Sequence, residues 1–411
     1  MEQLCADVSA NSYQSVMLFG TQAVREYLTT RRYSSELLED YVRGVRHFCR
    51  WLGAEGISLD SVEQTITERF LNTHLLDCRC PMPKGTHRFC RPALGHFLQV
   101  LRERGIIPRS IAPSQPEDGL LRDFQEHLRG AHGATASTAV LYARHVRGFL
   151  VDIFRGQEAA LHKITPAGIQ TYVSGKAAIQ KAGSAKLLCT ALRAFFKFLM
   201  TTGRIEHPLD HVVPTIPYWR LSSVPKYIEE EQLKSFLSSF DAHTPLGLRD
   251  RAMALLMATA GLRSHEVANL TVDDVDWREG TIRLINTKSR RTQQMPLAKD
   301  AGEALAAYLQ GGRPFTISRQ LFVTHYSPVG RVLSTEAIRR AIRSAFKRCG
   351  LNYGTHVLRH TLATRLLRKG ASLKEIADIL RHQNIETTMV YSKVDLNGLM
   401  RATLPWPEVT A

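Results

Sequence analysis

Residues 355–366 read Thr355-His356-Val357-Leu358-Arg359-His360-Thr361-Leu362-Ala363-Thr364-Arg365-Leu366. Leu358, Leu362 and Leu366 recur at steps of four, which predicts a helix with one face packed inward. His356, Arg359 and His360 stand at i, i+3 and i+4, so they share a different face. Thr355 occupies the position of an N-cap. The donors are therefore fixed near a helix N-terminus, where an anion is favoured. H-x-x-R alone is a common pattern, and the apolar backing is what makes this copy informative.

Downstream, Ser372-Leu373-Lys374-Glu375 is a capping box opening a helix through Ile376, Ala377 and Leu380. That helix delivers His382 at its end, and Tyr391 follows nine residues later. Upstream, an apolar helix from Arg249 runs into Gly261-Leu262-Arg263. Gly261 permits the tight backbone that would present Arg263 at the start of the next helix. Thr281–Ile285 and Gln293–Leu297 read as two strands, with Asn286–Arg291 as the turn between them. Lys288 then projects from a hairpin tip beside Arg290 and Arg291, side chains suited to a nucleic-acid groove.

Two guanidiniums, a lysine, two imidazoles and one late tyrosine suit phosphoryl transfer through a covalent phosphotyrosine. In order, Arg263, Lys288, His356, Arg359, His382 and Tyr391 resemble the catalytic signature of the tyrosine recombinases, the phage-integrase family, and the match is dense over roughly residues 225–395. The resemblance implies that Tyr391 attacks a scissile DNA phosphate and leaves a 3′-phosphotyrosyl bond. Arg263 and Arg359 would clamp the non-bridging oxygens, and Lys288 would protonate the leaving 5′-oxygen. His356 would help take the phenol proton, and His382 would hydrogen-bond the phosphate. Bond energy is kept in the covalent intermediate, so neither ATP nor another cofactor is expected. The arginines take the place that metal ions hold in nucleases, so no catalytic metal is expected either. Arg381 departs from the family, where a glycine before the histidine is usual. It is expected to alter the turn or add a phosphate contact.

The chain has 54 Lys+Arg against 38 Asp+Glu, a net charge of +16. A folded protein this basic most often meets a polyanion, nucleic acid first. No stretch approaches the ~18 unbroken apolar residues of a membrane span. Seven cysteines without framework spacing fit reduced thiols. These features predict a cytoplasmic, nucleoid-associated protein with double-stranded DNA as partner. The resemblance adds a homo-oligomer, tetrameric when two duplexes are synapsed, and sister recombinases as further partners.

The residues before about 210 read as helical and repeat themselves. Tyr41, Arg43, Val45, Arg46 and Phe48 match Tyr142, Arg144, Val146, Arg147 and Phe149. Gly85, Ala93, Leu94, Phe97, Leu101, Gly105 and Ile107 match Gly183, Ala191, Leu192, Phe195, Leu199, Gly203 and Ile205. Two matches in the same order suggest a duplicated helical module. The second copy lies where the family carries its SAM-like core-binding domain, and Arg144 and Arg147 can reach phosphates. The expected organisation is a helical module at 1–112, the core-binding domain at 113–210, a Pro-rich linker at 211–225, and the catalytic domain with its tail at 226–411. The fold class is mainly α with a small β-sheet.

Cys78, Cys80, His87 and Cys90 fall within thirteen residues and could supply four zinc ligands. Their C-x-C, H-x-x-C spacing is not a common zinc pattern, and reduced thiols in a Pro-Gly loop need no metal. The leading functional reading is a mobile-element recombinase, an integrase or tyrosine transposase. The alternatives are a housekeeping resolvase of DNA dimers, and a non-catalytic DNA-binding partner of other recombinases.

Overall fold

The computed structural model describes residues 13–78, 80, 87–108, 117–131, 133–154, 160–217, 224–285, 292–382 and 384–394. The architecture is mainly helical, with one small antiparallel sheet. Two compact units result, one drawn from Met1–Arg109 and Ser223–Ala411, the other from Ser110–Ser222.

The first unit begins with α1 (Tyr13–Thr30), α2 (Ser35–Ala54) and α3 (Gln64–Arg69). From α3 the chain runs through a wide π turn, Phe70–His74, into a last turn at Leu75–Asp77. It resumes at α4 (His87–Glu103). Val45, Phe48, Leu52, Phe70, Phe97 and Leu101 close a core of their own. Two loop contacts tie this module to the later part of the same unit. Arg32 Nη1 donates to the Phe315 carbonyl at 2.9 Å, and the Ser34 amide to Ser327 Oγ at 3.1 Å.

The second unit holds α5 (Asp118–Gly130), α6 (Ala136–Phe154), α7 (Pro166–Ile179) and α8 (Ala182–Thr201). Thr165 caps α7 by accepting from the Gly168 amide, and Pro166 sits at N1, where its missing N–H is harmless. Phe124, Val146, Phe149, Phe195 and Leu199 fill this core. The start of the Pro-rich stretch packs back on it, with Arg193 Nη2 donating at 2.9 Å to the Val213 and Pro214 carbonyls.

Positions paired in the repeat have matching surroundings. Val45 and Phe48 on α2, like Val146 and Phe149 on α6, are fully buried. Gly105 and Gly203 both take a left-handed φ, +72° and +64°, just past α4 and α8. Arg104 ion-pairs back to Glu26 on α1 at 2.8 Å, and Arg204 to Asp123 on α5 at 2.5 Å. Gly85 lies outside the described residues. Arg144 is exposed, but Arg147 is already paired with Glu117 at 3.1 Å and Asp118 at 2.6 Å. Those carboxylates take up part of its guanidinium, which stays partly exposed.

The later part of the first unit contains α9 (Glu230–Ser238), α10 (Pro245–Thr259) and α11 (Ser264–Asn269). A three-stranded sheet follows: β1 (Val275–Asp276), β2 (Thr281–Leu284) and β3 (Gln293–Pro296). Ile282 pairs with Met295 on one side and Val275 on the other, so β2 is central. The hairpin matches the sequence reading, whereas β1 is too short to show alternation. Then come α12 (Lys299–Ala307), α13 (Thr335–Arg348), α14 (His356–Arg368) and α15 (Leu373–Leu380). Two 3₁₀ turns, Ile385–Thr387 and Met389–Val394, follow α15. α10 is buried along most of its length, and Phe236 stacks on Phe346 at 4.1 Å in the main core. Leu362, Ala363, Ile376, Leu380 and Tyr391 form a smaller cluster.

Among the described residues, the fold gathers a different group from the four that the spacing offered as possible zinc ligands. Cys90 is fully buried on α4 facing Gly44 of α2, and the His87 side chain lies outside the described residues. Cys78 and Cys80 instead meet His47 and His74.

Candidate active site

The turn between α10 and α11 places the first guanidinium. Gly261 has φ +60°, and a Cβ there would come within 2.9 Å of Leu380 Cδ2 and 3.1 Å of Leu362 Cδ2. Glycine is thus required both by the backbone and by the packing. Arg263 then stands at the N-cap of α11. Glu266 accepts its backbone N–H at 2.8 Å and its Nη1 at 2.9 Å, which fixes the stem and the head of the side chain together.

Arg359 comes from α14 and is buried, with Nη1 donating to the Gly261 carbonyl at 2.5 Å and Nη2 to the Leu380 carbonyl. One side chain so clamps the α10–α11 turn to the end of α15. Burial, with Arg263 and Arg381 nearby, lowers its pKa, and a guanidinium still keeps its proton at neutral pH. Thr355 is not a side-chain cap as the sequence suggests. It has helical dihedrals, and its hydroxyl accepts from Ser264 Oγ at 3.1 Å, joining the starts of α11 and α14.

Arg381 has φ +55°, the left-handed conformation in which glycine is at ease. Its guanidinium turns inward and is buried. Nη2 donates to Glu266 at 2.9 Å, and Nη1 to the Ala260 and Ile379 carbonyls at 3.2 and 3.1 Å. Burial pushes the Glu266 carboxyl up. Arg381 and Arg263 together outweigh that push and hold it below its ordinary value. Around this point three guanidiniums face one carboxylate among the described residues, a surplus of positive charge that favours an anion.

Tyr391 is buried, 1% exposed, and its hydroxyl lies 2.8 Å from His360 Nδ1. Burial pushes the phenol up to about 12, against the pull of Arg359 and Arg263. Burial, His356 and Arg359 push His360 down to about 4, so at neutral pH its ring is uncharged and can accept from the phenol. The resemblance gives the phenol proton to His356; the ring at hydrogen-bond distance from the phenol is that of His360, one residue past the H-x-x-R pattern. His360's place on the His356–Arg359 face was the signal that could have found it.

His356 keeps an exposed edge at the head of α14, and loss of water with Arg359 and Arg263 nearby lowers its pKa. His382 follows α15, with Nδ1 hydrogen-bonded at 2.7 Å to the hydroxyl of buried Thr388. Burial and the surrounding arginines push it down to about 4. Five of the six expected catalytic residues thus share one electrostatic neighbourhood. The sixth, Lys288, lies outside the described residues with Arg290 and Arg291.

Residues 226–397 match the model of the "Phage integrase family". Residues 121–203 match "Phage integrase, N-terminal SAM-like domain". The chain is 35% identical over 395 residues to a Sinorhizobium fredii protein named as integrase/recombinase y4rA, covering 93% of this chain and 92% of that one. It is 30% identical to the tyrosine recombinase XerD of Listeria monocytogenes, covering 67% of this chain and 94% of XerD. Among solved structures, XerH recombinase bound to its difH substrate matches with a TM-score of 0.56 at 18% identity, over 82% of this chain and 93% of that one. With two family models in their expected order and a relative matched nearly end to end, this chain belongs to the phage integrase family, the tyrosine recombinases.

Proposed function

We propose that this chain is an active site-specific recombinase that cuts and rejoins double-stranded DNA through a phosphotyrosyl intermediate on Tyr391. The observation that carries the proposal is the Tyr391 hydroxyl, 2.8 Å from a neutral imidazole and within the field of Arg359 and Arg263. A phenol held near 12 is no nucleophile at neutral pH without a proton acceptor, and His360 is in place to be that acceptor. Arg263 and Arg359 are fixed by Glu266 and by backbone carbonyls, so they would meet a phosphate without reorganising. Lys288 keeps the role of acid for the leaving 5′-oxygen. His356 would contact the phosphate from the head of α14, and His382 would do so through Nε2, since Nδ1 is engaged by Thr388.

The biological setting we propose is DNA integration or transposition. Its support is the length of the match. XerD-type relatives are covered almost wholly yet match two thirds of this chain, whereas the integrase/recombinase of S. fredii matches nearly all of it. Residues 1–112 would then form a second helical module, a duplicate of the core-binding domain at 113–210. The working form would be a homotetramer on two duplexes. The XerD likeness favours dimer resolution as the second reading, and accumulation of unresolved multimers on gene deletion would select it.

The test of the chemistry is covalent trapping on nicked duplexes tiled from the DNA flanking the gene, in EDTA. Wild type should give a protein–DNA band on a denaturing gel, and Tyr391→Phe none. Specific retardation on a native gel without any covalent band would point to a DNA-binding accessory protein instead.

A further inference from the structure

Outside the active site, four side chains with metal-binding atoms meet in the N-terminal module. His47 lies on α2 and is buried. His74 ends the π turn, and Cys78 follows four residues later, on the same side of the chain. Cys80 comes next. Their ligand atoms all lie within 4.8 Å of one another. Nε2 of His47 is 3.2 Å from Nε2 of His74 and 3.4 Å from Cys78 Sγ. Cys80 Sγ is 3.8 Å from His74 Nε2.

The separations of 3.2, 3.4 and 3.8 Å, three of the six edges, are close to those of a zinc tetrahedron. With Zn–N of 2.0–2.1 Å and Zn–S of 2.3 Å, ligand atoms stand about 3.4 Å apart for two nitrogens and about 3.6 Å for nitrogen and sulfur. Hydrogen bonding alone would explain one such pair, but it does not gather two imidazoles and two thiols about one point. The surroundings also hold the rings in place. Phe70 meets His47 edge-on at 5.2 Å and stacks on His74 at 5.3 Å. The π turn matters here, because it shifts the helical register by one residue just before His74, and such turns are frequent at functional sites.

We infer that His47, His74, Cys78 and Cys80 form a structural zinc site of the Cys₂His₂ class. Zn²⁺ would bind two thiolates and two neutral imidazoles, release the two thiol protons, and leave a site of no net charge. Four protein ligands close the coordination sphere, so the metal would brace the fold and do no chemistry on DNA. It would pin the segment after α3 to the middle of α2. Burial, with Cys78 nearby, raises the Cys90 thiol pKa, but Cys90 stands outside the group of four.

The test uses full-length protein purified without chelator. Elemental analysis should find about one zinc per chain, and X-ray absorption at the zinc edge should show about two sulfurs and two nitrogens. Exchange with cobalt(II) should give the visible bands of a tetrahedral thiolate site. Paired Cys78→Ser and Cys80→Ser substitutions should lower zinc content about tenfold or more, while His87→Ala leaves it unchanged. If the paired variant does not fold, the sulfur count on wild type decides by itself. Protein that carries no zinc and gives no cobalt spectrum would overturn the site. Three sulfurs at the metal, or zinc lost with His87→Ala, would overturn this ligand set.

Discussion

Tyr391 and His360 make one unit, and its behaviour follows from two shifted pKa values. The phenol lies near 12 and the imidazole near 4, so the proton rests on the phenol oxygen, and on the proposed function the imidazole would take it in the transition state. His360→Gln removes that base. Cleavage of a suicide duplex should fall roughly 10²-fold or more near neutral pH and recover as hydroxide concentration rises. An unchanged rate would return the role to His356. The same shift bears on stability. The folded values of His360 and His382, near 4, lie below the ordinary 6.5, so on acidification the unfolded chain takes up these protons first. Their contribution is complete above about pH 6.5 and is lost as pH falls toward 4. Urea midpoints should therefore drop between pH 7 and 4.5, less steeply in His360→Gln. A parallel drop in the variant would show that other groups govern the acid limb.

At the scale of elements, the ends of α10 and α15 are joined through Arg359, Arg381 and Glu266. Arg381→Gly would relieve the left-handed backbone, worth about 1–2 kcal/mol. It would also leave the buried Glu266 carboxylate with one partner fewer, a loss of about 3–5 kcal/mol. The net expectation is destabilisation by about 2 kcal/mol, read as a lower urea midpoint, even though glycine is the usual family residue here. A gain in stability would mean that the Glu266 pair contributes little. Much of this region was legible in the sequence. The Ser372–Glu375 capping box is formed, with the Glu375 amide donating to Ser372 Oγ at 3.2 Å. The Gly261 turn and the β2–β3 hairpin stand where local pattern puts them. The inward turn of Arg381 was not legible, because its partner Glu266 is 115 residues away and no local periodicity connects them. The zinc ligands show the same limit. Cys78 and Cys80 caught the eye by proximity in sequence, but proximity also suggested His87 and Cys90, while His47 arrives from another helix.

For the whole molecule, the contacts of Arg32 and Ser34 with the Phe315 and Ser327 loop join the first module to the catalytic half. Removing residues 1–109 should leave Tyr391-dependent trapping detectable, since every described active-site residue lies beyond 260. The footprint on DNA should shrink, or the assembly on it become smaller, as read by nuclease protection and light scattering. An unchanged footprint and stoichiometry would remove the first module from DNA recognition. The charge of +16 was readable at once as a preference for a polyanion, but which faces carry it was not.

Tyr391 is kept away from solvent in a pocket of Leu362, Ala363, Ile376 and Leu380, on a segment that Thr388 fastens to His382. As the nucleophile proposed above, Tyr391 would be withheld from stray phosphates by this packing. Hydrocarbon sheathes the phenol, and the segment that carries it is held by the Thr388 hydroxyl on His382 and by the phenol's own bond to His360. A phenol that is 1% exposed cannot touch a phosphate, so the proposed cleavage would require this short segment to shift.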